Sequence, residues 1–338
     1  MAYGRFKVLL YGIFSYQSKK IHHGLSAILF LSSLLLITPL SAQEFVPPLV
    51  PAIEMHTAGQ INWTSGTISS VGFGAPPSSA PSAAIQSLAT RAAIAVARRN
   101  LLELVEGVRI DSETIVENFM VKSDVIQSHV QGVVKNAFVT AKHVLPDGNV
   151  EVILTMNMWG NHSLMSNLTP SPTQFLNLSE DTRHKETYTG LVIDARELGI
   201  QPATFPKVLD ENQYILYEKK TTFPHLVTQK GMVQYFMPTT RPSALLPQYF
   251  LYPATETHAN HTVEQRVGPR PLHLKGIQKS GSLETDIIVS AADAKKIRQD
   301  PSLMDLLHNA NVIIVIDPLV AGVEGHLRPE NVVAVSYP

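Results

Sequence analysis

The sequence predicts an α+β fold: a small sheet with helices packed on one face, in the order strand, helices, hairpin, followed by a second, mixed α/β module. Three patterns predict it. A long helical pattern follows a strand near residue 61, an alternating hairpin pattern ends near Met158, and strand and helix patterns mix after residue 187. At 338 residues the chain is long enough for two domains with ordinary cores.

The chain is expected to divide into five segments. These are a signal peptide (1–42), an extended tether (43–59), a first α+β domain (60–158), a linker (159–186) and a second α/β domain (187–338). The signal is predicted because Leu25–Ile37 is apolar and follows Lys19 and Lys20, and Ala42 offers a small residue for cleavage before Gln43. An uncleaved anchor is the alternative, since the leader before the apolar run is long. Prolines predict an extended tether without its own core.

The first domain begins with a predicted strand from Ile61 to Phe73. Gly72-Phe73-Gly74 is then expected to form a tight turn before the helix. A glycine-rich turn between a strand and a helix is also typical of dinucleotide-binding loops. That alternative is rejected because Pro77 occupies the third glycine position and lacks the N–H group that a phosphate would need.

The long helix is predicted from apolar residues that recur at spacings of three and four. These residues are Ile85, Leu88, Ala92 and Val96. Many alanines accompany them, so the helix is expected to approach a sheet closely. Gly107 is expected to end the helix in a left-handed conformation, and Asp111 or Ser112 to cap a second helical segment.

The hairpin closes the first domain. Alternating apolar residues from Val150 to Met158 are typical of a half-buried antiparallel strand. The strand before it lies within Gly132–Leu145, and residues 146–149 supply the turn between the two. The helices are therefore expected to cover one face of this sheet.

The second domain is predicted to contain several short strands and one helix. The strands are Tyr188–Ala195, Pro206–Leu209, Gln213–Tyr217, Gly231–Met237, Leu272–Ile277, Asp286–Val289 and Val312–Asp317. The helix runs from Ala291 to about His308, with Ser290 as its N-terminal cap. Residues 238–263 are rich in proline and aromatic residues and receive no assignment.

Composition excludes several classes of function. The four basic residues before residue 43 have no acidic counterpart, so the mature chain carries 23 basic and 28 acidic residues, about five net negative charges. This balance disfavours a nucleic-acid binder that relies on phosphate neutralisation. Cysteine is absent, which excludes disulfides, thiolate metal sites, cysteine nucleophiles and a lipid-modified N-terminal cysteine.

No catalytic, cofactor or metal site is predicted. His258 and His261 are three residues apart but lack an accompanying carboxylate pattern. Asp194, Arg196 and Asp317 lie at the ends of predicted strands, where open α/β sheets often carry their chemistry. A hydrolase or ligand-binding enzyme using these strand ends is the alternative function. The simpler interpretation is that the carboxylates cap turns and pair with nearby bases.

Two stretches resemble known families. The first holds Gly72-Phe73-Gly74, the alanine-rich helix Ala83–Asn100, Leu102–Val108, Ser112-x-Thr114 and Gly132–Val139. Through these residues Gly66–Met158 resembles the LPP-twenty outer-membrane lipoprotein family and the related N-terminal module of the flagellar H-ring assembly protein of polar flagella. The second stretch, with Tyr188–Arg196, Pro202-Ala203 and Arg266–Leu272, looks like a region found beside this domain in exported proteins of unknown role.

The resemblance implies a periplasmic envelope protein that supports surface or flagellar structures, with no catalytic residues to carry over. Lipoprotein members are tethered through a cysteine that this chain lacks, so a tether must come from protein contacts or an uncleaved leader. We therefore expect an exported, non-enzymatic protein that binds envelope or flagellar proteins, with no nucleic-acid partner and peripheral outer-membrane association. A peptidoglycan-binding module is a third hypothesis.

The interface of such a protein is expected on exposed sheet edges and in the aromatic segment near residue 250. Edge strands carry unpaired backbone groups that another chain can pair with. The aromatic segment contributes Tyr249, Phe250 and Tyr252. The sequence names no partner and does not indicate an oligomeric state.

Overall fold

The computed structural model describes residues 48–76, 84–166, 168, 187–239 and 256–319, with backbone alone for residues 256–261. These residues lie in one compact unit, Pro47–Pro338. Within them the chain forms seven α-helices and thirteen strands in two sheets, one antiparallel and one mixed, which confirms the α+β prediction. None of the helices in this described part is long and apolar enough to cross a membrane.

Groups of strands and groups of helices follow one another along the chain. The strands are β1 (Leu49–Pro51), β2 (Ile53–His56), β3 (Gly59–Asn62), β4 (Thr67–Gly74), β5 (Phe138–Val144), β6 (Val150–Asn157), β7 (Gly190–Asp194), β8 (Val208–Asp210), β9 (Ile215–Tyr217), β10 (Gln234–Pro238), β11 (Pro271–Ser280), β12 (Asp286–Val289) and β13 (Val312–Val315). The helices are α1 (Ile85–Glu106), α2 (Val116–Lys122), α3 (Asp124–Lys135), α4 (Pro224–Lys230), α5 (Glu256–Val267), α6 (Ala291–Gln299) and α7 (Pro301–His308).

The first sheet is antiparallel throughout, in the order β2-β3-β4-β6-β5. The predicted β5–β6 hairpin is confirmed, and Gly148 takes a φ of +83° in its turn, but β6 is buried on both faces from Val150 to Met156 and not half-buried as its alternation predicted. The single strand predicted from Ile61 to Phe73 is in fact β3 and β4, joined by a turn at residues 63–66. Gly66 makes that turn at φ +68°, and its N–H donates to Asn62 O at 2.8 Å. The sequence did not indicate this turn because Trp63 and Thr64 belong to residue types that favour strands.

Residues 48–59 are part of the folded core rather than an extended tether. β1 pairs with β10 of the second sheet, and β2 pairs with β3 of the first. Between them Ala52 is fully buried, and its N–H donates to Thr64 Oγ1 at 2.8 Å. The prolines favoured an extended backbone, which is also the backbone of a strand, so local sequence did not distinguish the two.

Helix α1 packs along β4 and β6, as the predicted fold requires. Its buried face differs from the predicted one. The buried residues are Ala89, Ala93, Ala97, Leu101, Leu104 and Val105, whereas Leu88 is 38% exposed. The glycines of β4 explain why α1 buries its alanine face, because a Cβ at Gly72 would collide with the backbone of Ala93 and Ala97. Gly72-Phe73-Gly74 is therefore a strand segment on which alanines pack closely, and not a turn.

The second helical segment is divided into α2 and α3 at Ser123. Its N-termini are capped differently from the prediction, since Ser123 Oγ accepts from Ile126 N at 3.4 Å. Ser112 is buried instead, and its carbonyl accepts from Leu283 N at 2.9 Å. Gly107 ends α1 at φ −79°, so its predicted left-handed conformation is also wrong.

The second sheet is mixed, in the order β1-β10-β13-β7-β11-β12-β8-β9. Strands β10, β13, β7 and β11 run parallel, and the two strands predicted at 206–209 and 213–217 form an antiparallel hairpin, β8–β9. Ser290 caps α6 as predicted, with Asp293 N donating to its Oγ at 3.1 Å. The predicted helix from Ala291 to His308 is two helices, because Pro301 cannot continue α6 and starts α7 after Asp300.

The two sheets share one hydrophobic core. Residues of both contribute to it, and so do Leu164 and Met165 from the predicted linker, both fully buried. Backbone hydrogen bonds also join the two predicted domains: Thr204 N donates to Arg109 O at 2.9 Å and Phe205 N to Ile110 O at 2.7 Å. The sequence boundary at residues 159–186 therefore does not separate two cores.

A buried ion pair lies at this junction. The carboxylate of Glu54 on β2 accepts hydrogen bonds from Trp63 Nε1, at 2.8 Å, and from Arg109 Nη2. Arg109 Nε also donates to Pro202 O at 2.7 Å, which ties the pair to the second predicted domain. Burial by itself raises the pKa of Glu54, but contacts with His56, Arg109 and Trp63 outweigh it and lower that pKa to about 2.

Candidate interaction surface

The carboxylates at the strand ends of the second sheet, Asp194 and Asp317, lie near each other and already accept hydrogen bonds. Arg196 Nε and Nη2 donate to the two carboxylate oxygens of Asp194. Asp317 accepts from the backbone N–H groups of Glu197, at 2.9 Å, and Gly199, at 3.1 Å. These bonds hold the loop after β7 against the end of β13, so the geometry fits the turn-capping interpretation. Burial raises the pKa of Asp194, and the hydrogen bonds and charge of Arg196 more than offset that effect and lower it.

Tyr249, Phe250 and Tyr252 lie outside the described residues, and so do the side chains of His258 and His261. Among the residues that the structure describes, no group of three or more histidine or acidic side chains is placed to hold a metal ion. The edge strands are therefore the part of the predicted interface that can be described.

The β5 edge, residues Phe138–Val144, is the most exposed edge of the first sheet. One side of β5 pairs with β6, and within the described part of the chain no strand pairs with its other side. Phe138 is 50% exposed, Val139 47% and Val144 51%. An edge strand of seven residues presents a row of unpaired N–H and C=O groups, and such a row is a template for another strand.

A bulge in β5 determines which side chains face which way. The pairing with β6 is regular except between Val139 and Ala141, where Thr140 is the extra residue. Val139, Lys142 and Val144 lie opposite core residues of β6, on the side of the sheet that α1 covers. Phe138, Ala141 and His143 point to the other side, which we call the outer face.

The outer face joins the β5 edge to a second exposed aromatic residue. Phe73 on β4 is 54% exposed and lies two strands from His143. Four residues along β4 from Phe73, a row of hydroxyls crosses β4, β6 and β5, with Thr155 Oγ1 2.8 Å from Ser69 Oγ and 3.0 Å from Thr140 Oγ1. These bonds fix the strands relative to one another, so Phe73 and Phe138 are held on a rigid surface.

The one acidic side chain of this surface is already paired. Glu151 on β6 is only 1% exposed and lies directly opposite His143, whose Nδ1 is 2.9 Å from Glu151 Oε2. Asp147 in the β5–β6 turn accepts from the backbone and side-chain nitrogens of Asn149. Lys142 is exposed, and the described structure gives it no acidic partner on β5, so the edge is basic.

Comparison with known proteins identifies a relative of the second sheet. Residues 190–318 match the family described as "Treponema pallidum Tp0624, second domain". The match covers less than half of the chain and begins with β7, so it includes the occupied carboxylates of Asp194 and Asp317 but not the β5 edge. No curated protein matches the chain.

Proposed function

We propose that the chain is an exported, non-enzymatic component of the cell envelope that binds envelope or flagellar proteins through the β5 edge. The observation that carries the proposal is the exposure of β5, a seven-residue strand with half-exposed apolar residues, one side of which pairs with no strand of the described chain. The apolar leader and the resemblance of Gly66–Met158 to the LPP-twenty family support the location. The strand-end carboxylates give the hydrolase alternative less support, because their oxygens already accept backbone and arginine hydrogen bonds.

Placing lysines on the β5 edge is expected to abolish partner binding. In the Val139→Lys/Val144→Lys variant, two half-exposed apolar contacts become charges, so β5 carries three lysines where the wild-type strand carries one, and such a concentration of like charge on an edge strand opposes pairing. Both side chains already reach solvent, so we expect a stability change within about 1 kcal/mol. The measurement is affinity capture of the tagged chain, after chemical crosslinking, from cells that produce it naturally.

The matched control is Val121→Lys/Val125→Lys. These valines are 81% and 79% exposed and belong to α2 and α3 and not to β5. The proteins captured by the wild-type chain should persist with this control and disappear with the β5 variant. Equal capture by both variants would rule out the β5 edge as the binding surface.

Cell fractionation tests the location independently. The apolar run before residue 43 is expected to direct the chain out of the cytoplasm, and cleavage is expected to leave Gln43 as the first residue. N-terminal sequencing of the protein recovered from the envelope fraction measures both points. An intact N-terminus in that fraction would indicate the anchor alternative, and recovery from the cytoplasm alone would contradict export.

A further inference from the structure

We infer that the β5 edge selects an extended polypeptide segment carrying an acidic residue opposite Lys142, and not a second copy of this chain. The inference rests on the proposed function and names the chemistry of the partner. It follows from three features of β5: its charge, its bulge, and the side of the sheet to which each residue points.

Lys142 is the one lysine or arginine of β5, which has no acidic residue of its own. In the β5–β6 hairpin, Glu151 contacts His143 and Asp147 accepts hydrogen bonds from Asn149, and neither carboxylate forms an ion pair with Lys142. Lys142 is therefore the charge that an incoming strand meets without compensation. In a cross-strand pair an opposite charge stabilises and a like charge destabilises.

The register of β5 disfavours pairing between two copies. Residues directly opposite each other in an antiparallel pair point to the same side of the sheet, so a two-fold axis must pass through a residue and not between residues. Within the regular stretch from Ala141 to Val144, an axis at the middle falls on Lys142 or His143. Those arrangements place lysine opposite lysine, or histidine opposite histidine.

Moving the axis along the strand does not remove the conflict. An axis at Ala141 places Lys142 opposite Thr140, the bulged residue at which the ladder is irregular. An axis at Val144 takes most of the pairing beyond the strand, into the turn that contains Pro146. A symmetric dimer through β5 thus has a like-charge pair at Lys142, a bulged pair at Thr140 or, with the axis at His143, a ladder of only three regular residues in which Lys142 lies opposite Val144.

A different polypeptide avoids these conflicts and matches the apolar residues as well. An acidic residue opposite Lys142 and an apolar one opposite Val144 would lie on the helix-covered side. Small or apolar residues opposite Ala141 and a polar one opposite His143 would complete the outer face. The expected segment therefore reads apolar, polar, acidic, apolar along four successive residues.

Labelled peptides test this preference on the full mature chain. One nine-residue peptide carries the core valine-threonine-glutamate-valine, and its counterpart has lysine in place of glutamate. Fluorescence anisotropy gives the dissociation constant of each. We expect the glutamate peptide to bind roughly threefold to tenfold more tightly, as a cross-strand charge pair allows. In Lys142→Glu the preference should reverse, whereas Lys135→Glu, an exposed lysine at the end of α3, should leave it unchanged.

Each other outcome overturns the inference. A preference that survives Lys142→Glu would show that another cation sets it, and the absence of binding by both peptides would show that the edge does not accept such a segment. Sedimentation that reveals a dimer lost in Val139→Lys/Val144→Lys would identify a second copy as the occupant. If the β5 lysines abolish capture from cells while Lys142→Glu does not change it, the proposed function stands and the acidic preference fails.

Discussion

The Arg109→Met variant is expected to lose about 3 to 5 kcal/mol of unfolding free energy, the usual cost of removing one partner of a buried ion pair. Methionine replaces much of the aliphatic stem but leaves the buried carboxylate of Glu54 without its cation. The variant also loses the hydrogen bond to Pro202 O across the junction. Urea unfolding at pH 7, followed by tryptophan fluorescence, measures the loss.

Acid titration distinguishes the contribution of the Glu54–Arg109 ion pair to the unfolding free energy from the contribution of apolar packing. The pKa of Glu54 falls from an ordinary 4.5 to about 2 in the folded chain. Its contribution is therefore fully present above pH 4.5 and is lost as the pH falls through 2, by an amount on the order of 3 kcal/mol. In Arg109→Met the unfolding free energy should decline less steeply between these pH values.

The double variant Glu54→Gln/Arg109→Met provides the control. Removing both charges leaves no uncompensated carboxylate, so we expect it to be more stable than Arg109→Met alone. A single variant as stable as the wild-type chain, with the same acid sensitivity, would show that the ion pair does not hold the junction.

Gly72→Ala is expected to destabilise the first sheet by about 2 to 3 kcal/mol, because overpacking forces the backbone to move. The added Cβ would collide with the carbonyl oxygen of Ala93 and the amide nitrogen of Ala97, both of which belong to the α1 backbone. For a domain of this size the loss corresponds to a fall in Tm of roughly 4 to 12 °C. Thermal unfolding followed by circular dichroism measures it.

The same substitution at Gly132 should act in the opposite direction. Gly132 lies within α3, and a Cβ there meets no atom within 4 Å. Gly132→Ala is therefore expected to stabilise the chain by about 0.5 to 1 kcal/mol through helix propensity. If both variants shifted Tm in the same direction, the close packing of α1 on β4 would not be the controlling contact.

Local signals in the sequence predicted the elements that local residues determine. The turn at Gly148 and the alternation of β6 located the hairpin, and Ser290 located the start of α6. The division at Asp300 also had a local signal, Pro301, which the helical pattern outweighed. The local signal for the buried face of α1 was weaker. A row of alanines is less apolar than Ile85 and Leu88, although only alanine fits against the β4 glycines.

Long-range pairing could not be predicted in this way. Whether β5 is an edge strand depends on β4 pairing with the other side of β6, a contact between residues about 80 positions apart. The common core of the two predicted domains depends likewise on contacts such as Arg109 with Pro202. The sequence therefore led us to expect an interface on edge strands, but it did not identify β5 as the exposed edge or place Phe73 near it.

The central claim is that the chain acts by presenting the β5 edge to another polypeptide. Its most direct test introduces a photo-crosslinking amino acid at Val144 and, in a matched strain, at Val125, followed by irradiation of intact cells. We expect a discrete crosslinked product from Val144 that Val139→Lys removes, and none from Val125. No product at Val144, or the same products from both positions, would contradict it.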